Sequence, residues 1–122
     1  MNNKEFGEQL EKRTKDFALR IIRLSSSLPN SIEGKVIKNQ ITKSGTSIGA
    51  NYREANKARS SADFMNKIKI SEGEANETCY WLEIIHDMNW IENDNINTVL
   101  KEAKELLSIF SSISINMKNN RD

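Results

Sequence analysis

The chain has 122 residues, with 18 basic and 17 acidic side chains, five glycines, one proline and one cysteine. This length suits a single domain over residues 1–122, and the scarcity of glycine and proline favours an all-α fold. A lone cysteine excludes an internal disulfide and a CxxC metal site, and the near-neutral net charge does not by itself indicate a nucleic-acid-binding protein. Without a signal-peptide core or a membrane-length apolar run, we expect a cytoplasmic protein with no membrane partner.

The first predicted helix covers residues 4–28. Leu10, Phe17 and Leu24 recur every seven residues and are interleaved with further apolar positions, a spacing typical of a helix packed along one face. Pro29 should end this helix, because proline cannot donate the backbone hydrogen bond that a helix interior requires.

The second predicted helix covers residues 31–58, with Asn30 as its expected cap. Its apolar stripe carries small and polar residues in the run SGTSIGANYREANKA, positions 44–58, where a core helix would usually carry leucine. Gly45 and Gly49 are predicted to let a neighbouring helix approach closely, since neither has a side chain at the contact.

The third and fourth predicted helices cover residues 62–89 and 95–117. The sequence SSAD at 60–63 resembles a capping box for the third helix, and Asn93 or Asp94 is the expected cap of the fourth. Four amphipathic helices joined by short connections predict an antiparallel up-down-up-down four-helix bundle, because that arrangement buries every stripe without a long crossover.

A polar layer is expected between the second and third helices. Its predicted members are Ser44, Asn51, Glu54, Glu74 and Glu77. Hydrogen bonds joining Asn51 and Glu54 to Glu77, to Tyr80 or to the indole N–H of Trp81 would fix the register of the two helices rather than add net stability. The alternative is that the three glutamates are solvated surface charges.

Positive charge is concentrated in the first half of the chain. Residues 1–59 carry 12 basic and 6 acidic side chains, and residues 60–122 carry 6 and 11. One interpretation is a surface that contacts nucleic-acid phosphates with little regard to sequence, and the other is an ordinary solvated face. The candidate nucleic-acid-binding residues are Lys35, Lys38, Lys43, Arg53, Lys57 and Arg59; Arg13, Arg20 and Arg23 add positive charge on the first helix.

One motif suggests metal chemistry. Glu83 and His86 form Glu-x-x-His, the spacing that places two ligands on one helix face in di-iron bundle proteins. The chain has one histidine, so two subunits would have to share the site, with a glutamate such as Glu54 completing it. We favour a chance occurrence and predict no catalytic residue, no metal and no cofactor. Cys79 lies two helical turns from His86, too far for a nucleophile and its base, and is predicted to be a core or interface residue.

The third helix carries more apolar surface than one bundle can cover. Between residues 79 and 88 the apolar side chains extend well past a single stripe, which indicates an association surface. The predicted interface residues are Tyr80, Trp81, Ile84 and Met88.

Two runs of sequence carry a family resemblance: SGTSIGANYREANKARSSADFMNKI from Ser44, and SEGEANETCYWLEIIHDMNWI from Ser71. They resemble a bacterial four-helix-bundle family first associated with intervening sequences in ribosomal RNA genes, also called S23 ribosomal proteins. The resemblance covers nearly the whole chain. The matching residues are Ser44, Ile48, Asn51, Tyr52, Glu54, Ala55, Phe64, Ile68, Glu74, Ala75, Glu77, Thr78, Tyr80, Trp81 and Leu82.

The resemblance implies a bundle that assembles into a homo-oligomeric ring, typically a pentamer, with no established catalysis for most members. A relative, the accessory variability protein of diversity-generating retroelements, binds its reverse transcriptase and nucleic acid through a basic surface. Several such relatives are strongly basic, whereas this chain is near neutral.

Two functions follow as hypotheses. The first is a non-enzymatic, homo-oligomeric interaction module, an accessory to nucleic acid or to a nucleic-acid-processing partner such as a reverse transcriptase. The alternative is a metal-dependent helical-bundle enzyme whose site is shared between subunits around Glu83 and His86.

Overall fold

The structure is a computed structural model and describes residues 2–121. Its helices are α1 (Asn3–Ser25), α2 (Ile32–Ala55), α3 (Ser61–Asp87) and α4 (Asn93–Arg121). No strand occurs among the described residues, and the predicted all-α four-helix bundle is confirmed. α2 packs on α1 and on α3, and α3 packs on α4; α1 and α4 are also neighbours but are in the least contact of the adjacent pairs. α1 and α3 therefore lie at opposite corners of the bundle.

The predicted ends of the first two helices were wrong by three residues. α1 ends at Ser25 and α2 at Ala55, rather than at 28 and 58. In both cases the following residues form tighter turns with hydrogen bonds to the third residue before them, such as Leu28 N to Ser25 O and Ala58 N to Ala55 O. α1 has thus already ended before Pro29.

The start of α2 also differs from the prediction. Ser31, not Asn30, is the N-cap: its backbone is extended and its side chain accepts a hydrogen bond of 3.0 Å from Gly34 N. The predicted cap of α3 is confirmed, because Ser60 accepts from Asp63 N at 3.0 Å.

α4 is longer than predicted at both ends. It begins at Asn93 rather than at 95 and continues to Arg121 rather than ending at 117. The tail KNNRD, which lies beyond the predicted end of this helix, is helical as far as the structure describes it, and Asp122 lies outside the described residues.

The core consists of the apolar stripes of all four helices. Phe17, Ile48, Leu82 and Phe110 are among its fully buried side chains, and the ring of buried Tyr52 meets Phe110 edge-on with 5.5 Å between centroids. The offset edge-to-face arrangement is one that aromatic pairs prefer. None of the described helices is both long and apolar enough to cross a membrane.

Two of the three glycines of α2, Gly45 and Gly49, face α1. A Cβ at Gly45 would lie 2.8 Å from Ile21 Cγ2, and one at Gly49 would lie 2.8 Å from Thr14 Oγ1. Both distances are shorter than van der Waals contact. The absence of a side chain at these positions therefore permits the observed spacing of α1 and α2.

Candidate functional site

Buried hydroxyl groups join α2 to α3. Ser44 Oγ and Thr78 Oγ1 lie 2.9 Å apart, and Thr78 Oγ1 is also 2.7 Å from the carbonyl oxygen of Glu74. A hydroxyl has one hydrogen, so if Thr78 donates to that carbonyl, Ser44 must donate to Thr78. Both side chains are almost fully excluded from solvent, which makes an unpaired hydroxyl at either position costly.

A second cross-helix bond lies one helical turn further along the same interface. Ser71 Oγ, buried on α3, donates to the carbonyl oxygen of Ile48 on α2 at 2.9 Å. Together with the Ser44–Thr78 contact, this bond aligns the two antiparallel helices at two points. Ser71 and Thr78 were not among the predicted members of the polar layer, although both occupy core-facing positions in the apolar stripe of α3.

The expected cross-helix bonds of Asn51 and Glu54 are replaced by other contacts. Asn51 Nδ2 donates to Ser47 O within α2 at 2.9 Å, and exposed Glu54 reaches α3 through Lys67, whose Nζ lies 3.6 Å from its carboxylate, rather than through the expected partners. Both side chains project from the edge of α2 rather than into the contact between the helices. The deeper positions belong to small hydroxyl side chains, since these fit where the backbones lie close.

Glu74 and Glu77 lie half-buried at the edge of the α2–α3 interface. Glu77 accepts a hydrogen bond of 3.2 Å from the indole nitrogen of Trp81, one turn along the same helix. Burial, reinforced by the negative charge of Glu77, raises the pKa of Glu74, and the positive charge of Lys43 acts in the opposite direction. The edge therefore brings together two carboxylates, an indole and an ammonium group.

Part of the solvent-accessible surface of α3 is apolar, and we call that part the α3 outer face; exposed polar residues such as Lys69, Asn76 and Asp87 occupy the rest of the solvent side. It is formed by Ile70, Tyr80, Trp81, Ile84 and Met88. Tyr80 is 56% exposed and Met88 53%, while Trp81 and Ile84 are half-buried. The rings of Tyr80 and Trp81 pack edge to face with centroids 5.0 Å apart, so they form one rigid aromatic unit. The predicted interface residues thus lie on a common surface.

The start of α2 extends this apolar surface. The bond between Ser44 and Thr78 places the N-terminal half of α2 beside the C-terminal half of α3, so Ile32 and Val36 lie at the same end of the bundle as Met88. Ile32 is 80% exposed, and Val36 is also exposed. An exposed apolar area of this kind is typical of an association surface.

The candidate nucleic-acid-binding residues run along the solvent side of α2 and into the loop after it. Lys35, Lys43, Lys57 and Arg59 are exposed, and Lys38 is half-buried. At 1.5 Å per helical residue, the helical part of this row alone spans about 27 Å. The charges therefore form an extended row rather than a compact pocket.

Neighbouring carboxylates offset part of this positive charge. Arg53 Nε lies 3.5 Å from Glu11 Oε1, and the same carboxylate accepts a hydrogen bond of 2.8 Å from Asn56 on its other oxygen. Lys43 lies close enough to Glu74 to influence its titration. The least neutralised members of the row are those at its two ends.

The residues with potential for metal or nucleophilic chemistry all lie in the C-terminal half of α3. His86 Nδ1 lies 3.1 Å from Asp87 Oδ1, Glu83 is exposed, and the part of the chain that the structure describes holds no cluster of three or more potential metal ligands. Burial raises the pKa of the Cys79 thiol, and the negative charge of Glu83 raises it further, so the thiolate is disfavoured. Nothing in this arrangement indicates an enzyme.

Comparison with known proteins agrees with this description. Residues 9–112 match the model of the family described as 23S rRNA-intervening sequence protein. The structure is similar to the crystal structure of a protein of unknown function from the S23 ribosomal protein family of Bacteroides thetaiotaomicron VPI-5482, with 40% sequence identity and a TM-score of 0.79, over 85% of this chain and 96% of that chain. Among curated proteins, none matches. The chain belongs to the 23S rRNA-intervening sequence protein family.

Proposed function

We propose that this protein is a non-catalytic interaction module that assembles from several copies of itself through the α3 outer face. The observation that carries the proposal is the exposure of Tyr80 and Met88 beside the half-buried Trp81 and Ile84 on one side of α3. Tyrosine and tryptophan are the residue types that contribute most at protein interfaces when they become fully buried. A second copy that covers this face would remove these side chains from water.

A ring requires a second, different surface on each subunit. In a ring of more than two subunits the contact is head to tail, so the α3 outer face must meet another part of the next copy. α1 lies at the opposite corner of the bundle and exposes Leu19 and Ile22. We propose that these two side chains form the complementary surface, in a ring of five as the family resemblance implies.

Light scattering on purified protein at micromolar concentration tests the assembly. The expected mass is a multiple of the 14.0 kDa chain. Met88→Glu should lower this mass, because it places a charge on the α3 outer face. Ile115→Glu is the matched control, since Ile115 on α4 is 58% exposed and lies on neither proposed surface. A wild-type mass of one chain would exclude the assembly.

A further variant distinguishes a ring from a dimer. Ile22→Glu should lower the mass if the contact runs from α3 of one subunit to α1 of the next. The same variant should leave the mass unchanged if two α3 outer faces pack against each other in a symmetric dimer, because α1 would then lie outside the contact.

We further propose that the positive row on α2 contacts phosphates of nucleic acid, or of nucleic acid held by a processing enzyme such as a reverse transcriptase. The exposure of Lys35, Lys57 and Arg59 supports this assignment. Binding of single-stranded RNA should weaken steeply as salt rises and should depend little on sequence. The variant Lys35→Gln/Lys57→Gln should reduce the salt dependence. RNA affinity that is independent of salt would contradict the assignment.

A further inference from the structure

The seam between α1 and α4 has one end where charges are matched and one end where they are not. At the matched end, Arg13 donates to both oxygens of Glu102 at 2.7 Å and to Glu105 at 3.0 Å. At the other end, Arg20 and Arg23 of α1 lie opposite the start of α4. Among the described residues, no carboxylate lies within 4.0 Å of either guanidinium.

These two arginines border a groove of about 380 Å³. Its polar lining comes from Arg20, Arg23, Ser27, Asn95 and Thr98, and no acidic side chain contributes to it. The volume falls within the range that small-molecule sites occupy. The groove is therefore large enough for a ligand and carries net positive charge.

Few hydrogen-bond donors in the groove are free to bind a ligand. Ser27 Oγ donates to Leu24 O at 2.8 Å and Thr98 Oγ1 donates to Asp94 O at 2.7 Å, so neither hydroxyl hydrogen is available. The donors that remain for a ligand are the two guanidinium groups and the side-chain amide of Asn95. Guanidinium groups bind the oxygens of phosphate in pairs, with a geometry that ammonium groups do not provide.

Two further features favour an anion at this place. Asn95 belongs to the first turn of α4, whose unpaired backbone N–H groups give that end of the helix a partial positive charge that Asp94 in the same turn offsets in part. Asp16 and Glu102 line a neighbouring groove with Arg20, and the pKa of Glu102 is lowered chiefly by its hydrogen bond with Arg13 and only to a smaller extent by Arg20. Glu102 is thus already occupied by Arg13.

We propose that the groove between Arg20 and Arg23 binds a phosphate group. The two guanidiniums hold the phosphate oxygens, Asn95 contributes a further donor, and the body of the ligand rests on the aliphatic side chains of Leu24, Ile91 and Val99. The phosphate belongs either to a small phosphorylated compound or to the backbone of a nucleic-acid chain. This site lies on α1 and α4, apart from the row on α2, and does not depend on the proposed assembly.

Titration calorimetry with inorganic pyrophosphate, and fluorescence anisotropy with a short labelled single-stranded RNA, test the site. Each probe is measured with the wild-type chain, with Arg20→Gln/Arg23→Gln and with the control Lys101→Gln/Lys104→Gln. The control also removes two positive charges, but from the matched end of the seam. The arginine variant should bind about tenfold more weakly or worse, whereas the lysine variant should bind like the wild type. The single variant Arg23→Gln, at an exposed position, provides the same test should the double variant fail to fold.

Each outcome has one meaning. Loss of pyrophosphate binding in the arginine variants alone supports the site with a small phosphorylated compound as ligand. The same pattern with RNA only supports the site with a nucleic-acid backbone as ligand. Absence of binding by both probes, or an equal loss in the arginine and lysine variants, overturns the proposal. A change in RNA affinity caused only by Lys35→Gln/Lys57→Gln would assign binding to α2 and also overturn it.

Discussion

The hydroxyl pair of Ser44 and Thr78 shows how single residues align α2 with α3. Each side chain is small enough for a close helix contact, and each has a carbonyl within its own helix as an alternative partner: Ile41 O at 3.4 Å for Ser44 and Glu74 O at 2.7 Å for Thr78. The pair is therefore satisfied without water. Such a pair contributes to register more than to net stability, because the unfolded chain forms equivalent hydrogen bonds with water.

A double-mutant cycle measures this contribution. Ser44→Ala and Thr78→Val should each lower the free energy of unfolding by about 1 to 2 kcal/mol, because each removes one partner of a buried bond. The double variant should cost less than the sum, by about 1 kcal/mol, since either single variant already removes the bond between the two hydroxyls and it can be lost only once. Urea unfolding gives the three values. Strict additivity would show that the two hydroxyls do not interact.

The ion pair of Arg13 with Glu102 predicts a pH dependence. The hydrogen bond from Arg13 holds the pKa of Glu102 below its usual value of 4.5, so the pair stabilises the fold above that value. This stability is lost as pH falls through the lowered pKa of the folded state. Glu102→Gln should therefore cost about 1 kcal/mol near neutral pH, a figure reduced for solvent screening because Arg13 is 39% exposed.

Urea unfolding of wild type and Glu102→Gln at about pH 7 and about pH 3 checks this prediction, and the difference between them should shrink at the lower pH. Asp16→Asn is the control, because Asp16 pairs with Lys12 at the exposed surface at 2.9 Å and should contribute little. A difference that persists unchanged in acid would assign the cost to packing rather than to charge.

At the scale of elements, the glycines of α2 determine how closely α1 packs. Glycine in a helix interior is less favourable than alanine by about 1 kcal/mol, so alanine at a neutral site would stabilise the helix. At Gly45 and Gly49 the added carbon would collide with Ile21 and Thr14. The intrinsic preference of the helix and the packing of the bundle therefore oppose each other at these two positions.

Alanine substitutions separate the two effects. Gly45→Ala should lower the free energy of unfolding by about 1 to 2 kcal/mol, since overpacking outweighs the gain in helix propensity. Gly7→Ala is the matched control within α1, where the nearest atom to an added Cβ, Tyr52 Oη, lies at an ordinary 3.7 Å. It should raise stability by up to about 1 kcal/mol. Thermal unfolding in parallel measures both, and equal signs would contradict the packing argument.

At the scale of the whole molecule, the positive row and the main apolar surface lie on different helices and meet at the start of α2, where Lys35 stands between exposed Ile32 and Val36. The α3 outer face is apolar, α2 carries the positive row, and the α1–α4 seam combines a matched ion-pair cluster with an unmatched pair of arginines. The proposed nucleic-acid contact requires an assembly in which the α2 row stays exposed. A multimer would then present several copies of each positive surface, which increases the apparent affinity for a long polyanion.

Assembly also predicts a concentration-dependent stability. If folded subunits associate, mass action raises the midpoint of thermal unfolding as protein concentration rises. We expect this increase for the wild type and for Ile115→Glu, and a midpoint independent of concentration for Met88→Glu. Scanning calorimetry over a range of micromolar concentrations provides the measurement. A wild-type midpoint that does not change with concentration would contradict association.

The sequence by itself determined the local features of this protein. Apolar spacing predicted four helices and their core-facing stripes, the sequence SSAD predicted the start of α3 at Ser60, and the small residues of α2 predicted a close helix contact. The excess of apolar residues on α3 could also be read from the sequence. These features depend on residues a few positions apart, so short-range periodicity and capping chemistry are sufficient to find them.

Only the tertiary structure decided which residues meet. In the folded chain, Gly45 and Gly49 face α1. Ser71 and Thr78 form the cross-helix hydrogen bonds that were expected of Asn51 and Glu54. Arg20 and Arg23 have no acidic partner among the described residues, whereas Arg13 has two. These contacts join residues far apart in the chain and depend on the rotation and offset of each helix to within about 1 Å, the tolerance of a hydrogen bond. A repeat of apolar residues specifies which face of a helix is buried, but not the offset between two helices.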